Sequence, residues 1–102
     1  MVTIRIGNET KNFADASEDW VTQQIHRRQR DGQDVCVEVR IQTSGLDMAV
    51  STPGCASGGS GGRAPNANEQ EMFDLWRKLV LTARLSGGNV IAFLKQLRRK
   101  LS

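Results

Sequence analysis

Tyrosine is absent from this chain of 102 residues, histidine occurs once, and cysteine and proline occur twice each. Each scarcity excludes something. Without tyrosine, and with Phe73, Trp76 and Phe93 at apolar helix positions, no platform of aromatic rings is left on which single-stranded bases could stack. His26, Cys36 and Cys55 fall short of the four ligands of a structural zinc site, and no paired CxxC spacing is present, so no metal and no cofactor are expected. No apolar run approaches the roughly 20 residues that cross a bilayer. The opening Met1 to Arg5 leads into alternation instead of the apolar block of an export signal. The chain therefore reads as soluble, unexported and cytoplasmic, with no membrane partner. Internal repeats and coiled-coil heptads are also missing.

The two cysteines stand 19 positions apart. A disulfide between them requires a fold that brings them together, and a reducing compartment favours free thiols, so Cys55 reads as an ordinary loop thiol. The catalytic readings are weaker. Seven residues separate Cys55 from Arg63, a longer spacing than the loop that wraps one phosphate in cysteine phosphatases. A Cys-His nucleophile pair would need a specific long-range contact between Cys55 and His26. The glycine-rich segment likewise lacks the Lys-Ser/Thr of a phosphate loop, since Gly62 is followed by Arg63, Ala64 and Pro65. No enzyme is expected.

What is present suits one compact domain over residues 1–102, with 38% apolar and 25% charged residues. Residues 1–52 carry six basic and eight acidic side chains, residues 53–102 eight and three, so the net charge of +3 originates in the second half.

The pattern along the chain predicts an α+β fold. Val2, Ile4 and Ile6 alternate as in a half-buried strand that stops at Gly7-Asn8, followed by a short loop. Asp15 and Glu18 have capping-box spacing and open a helix to about Arg30, with Trp20, Val21 and Ile25 as its apolar stripe and Asp31-Gly32 as its stop. Val35, Val37, Val39 and Ile41 place β-branched side chains on one strand face, with Cys36, Glu38, Arg40 and Gln42 on the other. Leu46, Met48 and Val50 resume the alternation, which makes residues 34–51 a hairpin. Residues 53–66 hold both prolines and half the glycines and read as a flexible linker. Beyond it, Asn68 to Glu71 suit a helix start with acids in the first turn, and Met72, Leu75, Trp76, Leu79, Val80 and Ala83 share one helical face. Gly87-Gly88 is the expected turn and Asn89 the expected cap of a last helix bearing Val90, Phe93, Leu94, Leu97 and Leu101. The expected whole is a three-stranded sheet in the order β-α-β-β over residues 1–52, the linker, and a helical hairpin over residues 67–102 packed on the sheet.

Three strands offer two layers of helix limited area, so apolar helix surface should remain uncovered. This leads to the first functional expectation: a non-enzymatic interaction or regulatory protein that binds another protein, or itself as a homodimer, through Met72, Phe73, Trp76 and Phe93. The alternative is a sequence-nonspecific binder of nucleic-acid phosphates through Arg63, Arg77, Lys78, Arg84, Lys95, Arg98, Arg99 and Lys100.

Overall fold

The structure is a computed structural model and describes residues 1–32, 34–43, 45–53, 55, 66–82 and 85–101. Strand β1 (Val2–Ile6) and strand β2 (Glu9–Asn12) precede helix α1 (Glu18–Arg30). Strands β3 (Val37–Gln42) and β4 (Asp47–Ser51) follow. Helix α2 (Ala67–Trp76) continues into a π-helical turn (Arg77–Leu81), and α3 (Gly87–Leu101) is the last element. The four strands form one antiparallel sheet in the order β2-β1-β3-β4.

The expected sheet of three strands thus has four. The extra strand, β2, occupies the stretch expected to be a loop, because Glu9-Thr10-Lys11-Asn12 is exposed throughout and carries no apolar alternation. Backbone pairing specifies it, and the Lys11 ammonium lies 5.6 Å from the Trp20 ring centroid of α1. Ile6 faces Glu9 across Gly7-Asn8, and Gly7 has a φ of +63°, as the first central residue of a two-residue type II′ turn requires.

Alternation holds elsewhere. Ile4, Ile6, Val37, Val39, Ile41, Met48 and Val50 are buried on the face that meets the helices. Ser17, not Asp15, caps α1, its hydroxyl accepting from the Trp20 amide at 3.1 Å. The serine stands directly before the first helical residue, where the N3 amide comes within reach. Asp31 and Gly32, the latter at φ +75°, end the helix as the sequence indicates.

Helices α2 and α3 run antiparallel, with Glu71 beside Lys100 and the Trp76 and Phe93 rings edge to face at 4.9 Å between centroids. Asn66 rather than Asn68 caps α2: it exchanges hydrogen bonds with Glu69 in a complete capping box. Ser86 takes the place expected of Asn89, its hydroxyl accepting from the Asn89 amide. Gly87 and Gly88 are therefore the first helical residues of α3 and not a turn. The reason lies across the interface: a Cβ on Gly87 would stand 3.0 Å from the Thr22 Cα, so the missing side chain lets α3 close on α1.

Cys36 and Cys55 are joined by a disulfide with their Cα atoms 4.6 Å apart. This corrects the expectation of a free loop thiol. Cys36 lies directly before β3, and Cys55 follows three residues after Thr52, whose amide extends the β4 pairing to the Val37 carbonyl at 3.0 Å. The Thr52 hydroxyl accepts from the Val37 amide and donates to the Val35 carbonyl. That local clasp brings the two sulfurs together. The linker expected at residues 53–66 lies mostly outside the described residues. Among the described residues, no helix is long and apolar enough to cross a membrane.

Candidate functional site: the groove between the last two helices

The residues expected to form an apolar docking surface are mostly core. Met72 and Trp76 are each 2% exposed and Phe93 is fully buried; only Phe73 is partly accessible. The three buried side chains pack in one cluster with Ile4, Ile6, Val37, Val39, Ile41, Met48 and Val50 of the inner strands and with Val90, Leu94 and Leu97 of α3. The Trp76 indole N–H also donates to the Ser51 carbonyl at 3.2 Å, which ties α2 to the outer edge of β4. At the other end of that edge, the carboxylate of Glu69, itself 1% exposed, accepts from the Asp47 amide at 2.8 Å and from the Asn66 amide at 3.0 Å. Glu69 was not singled out by sequence, although the Asn-x-x-Glu spacing of residues 66–69 is a capping-box signal.

The helical stripe is rephased at its end. The Thr82 amide donates to the Arg77 carbonyl, five residues back, at 3.0 Å. Met72, Trp76 and Val80 face inward, Leu75 and Leu79 remain half-buried, and Leu81 is 42% exposed. The apolar surface left for a partner is therefore one flank of the expected stripe, Leu75 and Leu79, and not Met72, Trp76 and Phe93.

Between α2 and α3 runs a groove of about 440 Å³. Met72 and Leu75 supply its apolar part, Lys78, Arg99 and Lys100 its cations, and Glu71 and Asp74 its anions. Lys100 contacts Glu71 at 2.6 Å. This groove takes in three of the expected phosphate-binding residues. The others are dispersed: Arg77 is exposed, Lys95 pairs with Glu18 of α1 at 3.3 Å, and Arg98 covers the Phe13 ring at 4.6 Å. Arg63 and Arg84 lie outside the described residues. No continuous cationic stripe forms from the described members.

His26 is exposed on α1, and Cys55 is bonded to Cys36, so the Cys-His nucleophile pair does not form. Among the described residues no three metal-ligating side chains converge. No protein-family model, curated protein or solved structure matches the chain. Function must be argued from the surface itself.

Proposed function

We propose that the protein is a small non-enzymatic interaction or regulatory module, and that the α2–α3 groove is where it binds another protein. The supporting observation is the composition of that groove: a half-buried leucine between side chains of both charge signs. A polypeptide segment with one apolar anchor and flanking charges satisfies all three elements, and protein interfaces combine them in this way, an apolar centre inside a polar rim. A nucleic-acid backbone would gain Lys78 and Arg99 but meet Glu71 and Asp74 at the same time. The second reading, phosphate-backbone binding, is favoured by the exposure of Arg77, Lys78, Lys95 and Arg98. It is weakened by the ion pairs that already occupy Lys95 and Lys100. We place the protein in the cytoplasm in this proposal, where a cystine is transient instead of permanent.

Selection of displayed peptides on the wild-type protein and on Leu75→Glu tests the reading. Enrichment of peptides with an apolar residue between charges, lost in the variant, is the expected result. A second copy as occupant would show as a mass above the monomer in sedimentation at micromolar concentration, abolished by the same substitution. Binding of mixed-sequence DNA that weakens by about 0.9 log unit per decade of salt for each phosphate contacted, and that survives Leu75→Glu, would put the second reading first.

A further inference from the structure

The Cys36–Cys55 bond lies on the face of the sheet opposite the helices. Cys36 continues the row of Glu38 and Arg40 along that face, one strand away from Arg5 of β1, which pairs with Glu38 in register. Both cysteines are only partly buried, so a small thiol can approach the bond. The two sulfurs are not equivalent. The Nη2 group of Arg5 donates to the Cys36 sulfur at 3.7 Å, and the same Nη2 stands 3.6 Å from the Glu38 carboxylate. The Arg5 Nε is buried and makes no hydrogen bond among the described residues. The guanidinium is thus held against the Cys36 side of the bond, with Glu38 the acidic group competing for it. Among the described residues Cys55 makes no such contact with a charged side chain.

Thiol–disulfide exchange is fastest when the departing sulfur carries its negative charge easily. A guanidinium beside a sulfur stabilises the thiolate. We propose that the cystine is a thiol–disulfide exchange site for dithiol reductants, in which Cys55 is the sulfur attacked and Cys36 departs as a thiolate beside Arg5. In the first step a reductant thiolate bonds to the Cys55 sulfur as the Cys55–Cys36 bond breaks, and the electron pair stays on Cys36. In the second, the reductant's other thiolate attacks its own sulfur in the mixed disulfide and releases Cys55 as a thiolate. The reductant leaves as a disulfide, oxidised by two electrons, and each cysteine thiolate takes up a proton according to its pKa. A reductant of this class supplies both electrons, and no further co-reactant is needed.

Brief exposure of the full chain to glutathione, with an alkylating trap and an acid quench, is followed by peptide mapping. Glutathione on Cys55 and alkylation on Cys36 is the expected result. The rate of reduction by dithiothreitol at neutral pH should fall on the order of threefold in Arg5→Gln and rise by a similar factor in Glu38→Gln, because the second substitution frees the guanidinium for the sulfur. A merely structural role for Arg5 would not produce opposite effects from the two variants. Glutathione on Cys36, equal rates in all three proteins, or faster reduction of Arg5→Gln would each overturn the assignment.

Discussion

Glu69 joins two elements through one buried side chain. It is a carboxylate almost without solvent, and it accepts backbone amides from two places distant in sequence: the start of its own helix and the start of β4. Hydrogen bonds to a charged acceptor contribute about 1.5 to 3 kcal/mol each, and leaving buried amides without an acceptor adds its own penalty. Glu69→Ala should therefore lower stability by about 2 to 4 kcal/mol in urea denaturation. Glu69→Asp, too short to reach both amides, should recover only part of that loss. The sequence carries the local half of this arrangement, the Asn66 and Glu69 pair at capping-box spacing. The bond to Asp47 joins residues 22 apart and leaves no trace in spacing or periodicity. Residue-level legibility followed the same line elsewhere. Helix caps were displaced by two or three positions, from Ser17 to Asp15, from Asn66 to Asn68 and from Ser86 to Asn89, because several polar residues near a helix start offer the same chemistry and geometry selects among them.

At the level of elements, what was periodic was readable. The alternating β-branched residues of β3, the stop at Asp31-Gly32 and the antiparallel pair α2 and α3 all follow from patterns in the chain. Strand β2 and the π-helical turn do not. A fully exposed edge strand buries nothing that could mark it, and a π turn shifts the phase of a stripe that in sequence looks continuous. The two glycines at the start of α3 separate what propensity expects from what packing imposes. Gly88 faces open space apart from the Ser86 hydroxyl at 3.9 Å, whereas Gly87 abuts the backbone of α1. Replacing Gly88 by alanine should raise stability by about 0.4 to 1 kcal/mol through the unfolded chain. The same change at Gly87 should bring no gain and cost about 1 kcal/mol or more, since the Thr22 Cα can retreat only by moving its helix. Paired thermal melts of the two variants check this.

For the molecule as a whole, the largest departure from the sequence reading is the cystine. Two cysteines 19 apart leave their pairing open, and the Thr52 clasp that aligns them is visible only once β3 and β4 are side by side. Closing a loop of that length should stabilise the fold by about 3 kcal/mol in the chain-entropy description. A reduced sample, or Cys36→Ser with Cys55→Ser, should accordingly unfold at lower urea concentration with an unchanged helical far-ultraviolet spectrum before the transition. The candidate groove lies on the opposite layer from that bond, so its peptide preference should be the same in oxidised and reduced protein wherever both remain folded. The groove itself was only half legible: its cations Lys78, Arg99 and Lys100 were identifiable as charges near a helical face, while its apolar part shifted from the expected Trp76 and Phe93 to Leu75 once the core had claimed the larger rings.

The two hooks that α2 sets into β4 also govern how copies of this molecule can meet. With Glu69 and Trp76 occupying the ends of that margin, an incoming strand would have to dislodge a carboxylate and an indole before it could zip on. The opposite margin, β2, is exposed, and among the described residues no helix bonds to its backbone; it bears Glu9 and Lys11, the latter 5.6 Å from the Trp20 ring centroid. Lateral joining is thus one-sided. Two molecules that met strand to strand along β2 would use up the one sheet border left open among the described residues, and the assembly would end as a pair instead of lengthening into a fibre.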